Sequence, residues 1–61
     1  MSISGEYREY PIGEKPILLK IHHRTDSNMY PMTWNYDSYT LQYKSLHDVR
    51  QYLATHKVER V

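Results

Sequence analysis

The residues of this 61-residue chain that could do acid–base, nucleophilic or metal chemistry are four histidines, seven acidic side chains and a scatter of serines. Their spacing argues against all three chemistries. His22 and His23 are adjacent, so on a strand they point to opposite faces. His47 and His56 lie nine positions apart, about 180° around a helix, and diverge as well. His23 and His56 could meet at one end of a core, yet zinc wants three or four converging ligands. The chain has no cysteine nucleophile and no glycine-framed serine, and Gly5 and Gly13 stand alone, which excludes a phosphate-cradling loop. Ser45, with Asp48 three residues on, reads as a helix cap with aspartate in the place of Glu or Gln. The expectation is a protein that is not an enzyme, with no catalytic residue, no metal and no cofactor.

Binding chemistry is better represented. Lys20, His22, Arg24, Thr33, Asn35, Thr40, Gln42 and Lys44 are polar, mildly basic, and set at alternating positions. Lysine and arginine neutralise phosphate, and Asn and Gln can read an adenine edge, so together they form a candidate nucleic-acid surface. A rival set serves protein contact. The chain has seven tyrosines, one tryptophan and no phenylalanine. Tyrosine joins a large ring to a hydroxyl and is enriched at interface hot spots. Tyr7, Tyr10, Met29, Tyr30 and Tyr39 are the members of that set expected near sheet edges, where strand addition or a homodimer would be available.

Both surfaces depend on strands. Tyr30, Met32, Trp34 and Tyr36 are large at even positions; after Asp37-Ser38 the parity flips to Tyr39, Leu41 and Tyr43. A strand has period two, so a two-residue turn at Asp37-Ser38 would pair Tyr36 with Tyr39, Trp34 with Leu41 and Met32 with Tyr43, placing every large residue on one face. Residues 16–23 alternate in the same way, with Leu18 as the exception, and the polar stretch 24–28 is a hairpin loop. The expected strands are 16–23, 30–36 and 39–44. Over 45–57 a stripe of Leu46, Val49, Tyr52, Leu53 and His56 predicts a helix suited to lying on a sheet. Residues 1–12 form an N-terminal arm or an edge strand stopped by Pro11, and the tail from Val58 is frayed or adds a short edge strand.

The resulting fold class is α+β, one domain spanning 1–61: a β-β-β-α order in which a three-stranded antiparallel sheet, four-stranded if the arm joins it, carries one C-terminal helix on its apolar face. At the level of architecture alone, that order resembles the small sheet-reading DNA-binding domains of the integrase type, and the nucleic-acid expectation rests on the residues of the face turned away from the helix. On this layout all the acidic residues fall outside that face.

Length and composition set the remaining bounds. A chain this short buries only about 60% of its unfolded surface, so its stability is marginal and oligomerisation would help. A formal charge of +1 excludes an acidic nucleic-acid mimic and a strongly basic coat. Ile17-Leu18-Leu19 is the longest aliphatic run, far short of the roughly 20 residues that span a bilayer. Without cysteine and without a basic and apolar leader, the default location is the cytoplasm. The expectation is a small regulatory or accessory binding protein, with nucleic acid as the first partner, protein as the second, and no membrane.

Overall fold

A computed structural model describes residues 2–61. The chain runs β1 (Gly5–Glu9), β2 (Ile17–Ile21), β3 (Tyr30–Trp34), β4 (Asp37–Lys44), α1 (Leu46–Thr55) and β5 (Val58–Arg60). It is an α+β fold with one antiparallel sheet in the order β4-β3-β2-β1-β5 and one helix. The sheet has five strands rather than three or four, because both chain ends join it. β1 is not an edge strand: it lies between β2 and β5. The tail earns its place through bonds at both ends of β5, Tyr10 N–H to Lys57 C=O at 2.8 Å and Val61 N–H to Glu6 C=O at 3.1 Å. Arg60 then pins it to the N-terminal segment. Its guanidinium donates to the carbonyls of Ser2 and Ser4 and to the Tyr7 hydroxyl, and sits 5.3 Å above the Tyr7 ring. Gly5 must be glycine here, since its φ is 148° and a β-carbon would lie 2.9 Å from that guanidinium.

The helix starts where its cap predicts. Ser45 has extended backbone and its hydroxyl accepts from Asp48 N–H at 3.3 Å, so Leu46 opens the helix. Val49 is fully buried against the sheet, with Tyr52 and Leu53 half-buried beside it. Leu46 and His56, expected in the same stripe, lie at its exposed margins. The core is small: Tyr7, Leu19, Ile21, Met32 and Val49, flanked by Ile3, Tyr30, Trp34, Tyr52, Leu53 and Val58.

The β3–β4 hairpin departs from the sequence expectation, and the departure controls the surface. Its turn is Asn35-Tyr36, not Asp37-Ser38. Both turn residues have positive φ, 54° and 58°, the geometry that matches the twist of a two-residue hairpin. Asparagine adopts that conformation most readily after glycine, whereas Asp-Ser does so less well. Trp34 therefore pairs with Asp37, but two residues back Met32 pairs with Gln42. Thr33 alone faces the four residues 38–41, so β4 carries a large bulge. The Thr40 hydroxyl bridges this gap, accepting from Trp34 N–H at 2.9 Å and donating to Asp37 C=O at 2.6 Å. Beyond the bulge Pro31 pairs with Tyr43 and Tyr30 with Lys44, one residue away from the expected register. A one-residue slip sends every side chain to the other face.

Candidate interaction surface

Alternation from the buried Tyr7, Leu19 and Met32 defines the face turned away from the helix. It carries Glu6 and Arg8 from β1, Leu18 and Lys20 from β2, Pro31 and Thr33 from β3, Leu41 and Tyr43 from β4, and Glu59 from β5. Leu41 and Tyr43, expected on the helix-facing side, are instead exposed at 40% and 56%, and Tyr39, expected near an edge, is exposed at 97%. Tyr36 leaves the core as well. From the turn it reaches across β2, and its hydroxyl donates a short hydrogen bond to the Glu6 carboxylate on β1. That bond to a carboxylate raises the Tyr36 pKa above its ordinary value, because it favours the protonated phenol.

The eight residues expected to contact nucleic acid do not stay together. Lys20 and Thr33 are register partners on the outer face. His22 lies just beyond β2 and its Nε2 is 3.1 Å from the Thr33 hydroxyl. Arg24 is exposed in the β2–β3 loop. Asn35 serves its own turn, since its Oδ1 accepts from Leu18 N–H at 3.3 Å and its N–H donates to Leu18 C=O at 2.7 Å. Thr40 is occupied by the bulge. Gln42 and Lys44 are carried to the helix side by the register slip, and Lys44 Nζ lies 6.0 Å from the Tyr52 ring. Nor is the outer face free of acids. Glu6 stands opposite Lys20, and Glu59 opposite Arg8, because β1 and β5 belong to the sheet.

The tyrosine set is redistributed too. Tyr7 is a core residue at 6% exposure, its hydroxyl donating to Ile3 C=O at 2.6 Å. Tyr10, Met29 and Tyr30 are half-buried, and of the five only Tyr39 stands free. The large exposed side chains of the outer face are different ones, Tyr36, Leu41 and Tyr43, with Pro31 and Leu18 half-buried on the same face. The sequence carries a signal for them, since Asn35-Tyr36 competes with Asp37-Ser38 as the turn.

Sequence reasoning also missed a buried polar cluster on the helix side. Glu9 is 7% exposed at the end of β1. Its Oε1 accepts from the Tyr52 hydroxyl at 2.5 Å and from Trp34 Nε1 at 3.2 Å. Trp34 Nε1 is also 3.3 Å from the Tyr52 oxygen, the two rings meet edge to face, and the His56 ring stacks on Tyr52 at 3.8 Å. Burial, followed by the bond to Glu9, pushes the Tyr52 pKa up to about 12. Glu9 shares its face with Tyr7 two positions earlier, and that placement of an acid within a core-facing alternation is the signal for it.

Among the described residues no group of three His, Asp or Glu side chains converges as a metal site. His22 is bonded to Thr33, and His23 to the Ser4 hydroxyl at 3.3 Å. No described helix is long and apolar enough to cross a membrane. Compared with protein-family models, curated proteins and solved structures, the chain matches none.

Proposed function

We propose that this chain is a small cytoplasmic, non-enzymatic binding protein of regulatory or accessory type. It works by protein contact through the outer sheet face, whose first occupant is a second copy of the chain. The exposure of Tyr36, Leu41 and Tyr43 on one sheet face carries this proposal. Aromatic residues at the centre of a patch are the usual energetic anchors of protein interfaces. Charge permits a copy of the same face: Lys20 lies beside Glu6 and Arg8 beside Glu59, so the face is balanced and two copies meet without net repulsion. Area argues the same way. The folded chain exposes 4631 Å², against about 4,200 Å² for a monomer of this mass, and so carries roughly 10% more surface than its size warrants. A core of five buried hydrophobic residues among those described also gains from oligomerisation.

The test is molar mass by sedimentation equilibrium from micromolar to millimolar concentration. Wild type is expected to approach twice the chain mass, and Tyr43→Asp to remain monomeric with an unchanged circular dichroism spectrum. A wild-type monomer at millimolar concentration overturns the proposal for a second copy.

A nucleic-acid role keeps one supporting observation. Lys20, His22 and His23 line a groove of about 330 Å³ with Ser4, Gly5 and Ile21, and Arg24 follows directly. These side chains suit a few phosphate contacts, whose affinity would fall steeply with salt. Titration with duplex DNA at low and moderate salt tests it. Salt-sensitive shifts confined to the Lys20, His22 and His23 amides support the role, and an unchanged low-salt spectrum removes it.

A further inference from the structure

On the helix side of the sheet, a cleft of about 660 Å³ opens between the end of β1 and the end of α1. One wall is Glu9 through Ile12 and the other Ala54 through Lys57. Glu9 is more than nine-tenths buried, and both of its hydrogen bonds fall on Oε1. Oε2 has no partner among the described residues. No described polar side-chain atom is both sealed from solvent and unpartnered, so Oε2 keeps some exposure, and Glu9 is a lining residue of the cleft.

The opposite wall mixes signs: it holds the Lys57 ammonium and a helix end of partial negative charge. It is the C-terminal end of α1, where aligned peptide dipoles leave partial negative charge. The carbonyls of Gln51 and Tyr52 are taken by the Thr55 hydroxyl and the His56 N–H, while those of Leu53, Ala54 and Thr55 have no described partner. The last turn carries no basic residue to offset them. Between the two walls the lining is apolar, with Pro11, Ala54 and Ile12, whose side chain is fully exposed. Lys57, on the same wall, is a lining residue whose positive charge opposes cation binding.

We propose that this cleft binds an alkyl cation: an ammonium or guanidinium group on an apolar stem, its charge on Glu9 Oε2 and the helix end, its stem along Pro11 and Ile12. A free alkylamine and the side chain of a lysine or arginine in a polypeptide share this chemistry. The site is independent of the outer aromatic face and does not require the chain to self-associate.

The experiment is a titration of the labelled protein, at low salt, with butylguanidinium, followed by nitrogen–proton correlation spectra. Expected are saturable shifts at the Ile12, Ala54, Thr55 and His56 amides and at the Trp34 indole N–H, which reports Glu9 directly. Butanol, the same stem without charge, should leave them in place. Glu9→Gln keeps an acceptor for Tyr52 and Trp34 and should weaken binding about tenfold or more, since a charge-assisted bond is lost. Lys57→Ala should strengthen it. Ala54→Leu narrows the cleft and leaves the Glu9 side chain in place; it should weaken binding, which keeps the test decisive if Glu9→Gln unfolds. A second arm with N-acetyl-arginine amide distinguishes the sources: binding as strong as butylguanidinium supports a polypeptide side chain, and binding of butylguanidinium alone supports a free small alkyl cation. Shifts that are absent, or as large with butanol or in Ala54→Leu, overturn the proposal.

Discussion

Replacing Tyr52 by phenylalanine removes one oxygen atom from the centre of the Glu9 cluster and leaves the ring that packs on Trp34. The lost bond is charge-assisted and short, and a bond of that kind contributes about 1.5–3 kcal/mol. Trp34 Nε1 still donates to Glu9, and the Tyr52 ring is half-exposed, so the lower part of that range applies: about 1.5 kcal/mol at neutral pH. The same bond makes a pH prediction. The folded pKa of Tyr52, about 12, lies above its value of 10.0 elsewhere, so folding favours the protonated phenol. The stability it contributes is therefore fully present below pH 10 and is lost as pH rises from 10 toward 12. For a sealed group that rise would represent about 2.7 kcal/mol, and solvent screening of a half-exposed ring reduces it to about 1 kcal/mol. Urea denaturation followed by Trp34 fluorescence, on wild type and Tyr52→Phe from pH 7 upward, isolates this group from the other six tyrosines by difference. The wild-type advantage should be constant to about pH 10 and shrink above it. An advantage absent at pH 7, or undiminished above pH 10, would refute the buried cluster.

Met32→Ala should cost about 2–5 kcal/mol, because Met32 is fully buried at the centre of β3; a urea midpoint close to wild type would contradict the core assignment. Asn35→Ala should cost about 1 kcal/mol, from a positive-φ position and a lost side-chain bond to Leu18, while Ser38→Ala should be close to neutral; the reverse order in thermal melts would restore Asp37-Ser38 as the turn. Glu6→Gln should bring the Tyr36 phenol back toward the ordinary tyrosine range in a pH titration of its ring resonances, and a Tyr36 titration indifferent to Glu6 would separate the two side chains.

Much of the fold was legible because several local signals agreed. The alternation in β2 and β3, the Ser45 cap and the helical stripe each indicated the element that formed. What escaped was decided by pairing rather than by pattern. Alternation in β4 is genuine, but its phase relative to β3 depends on which dipeptide turns, and Asn35-Tyr36 with a bulge at residues 38–41 inverted it. That single inversion moved Leu41 and Tyr43 to the outer face and Gln42 and Lys44 to the helix side, dividing the expected basic face. Strand β5 has three residues and too little sequence for a periodic signal; its pairing with β1 follows from where the helix delivers the chain and from Arg60. Glu9 was hidden because a buried carboxylate is recognisable only once its donors, 25 and 43 residues away in sequence, are brought to it.

The central claim is that the outer sheet face meets protein, first a second copy of itself. It is tested most directly by an isotope-filtered nuclear Overhauser experiment on a concentrated mixture of labelled and unlabelled chains. The expected result is cross-copy contacts from the Leu41 methyls to the rings of Tyr36 and Tyr43. Their absence at millimolar concentration, or contacts arising instead from the β5 edge or from Ile12, would contradict it.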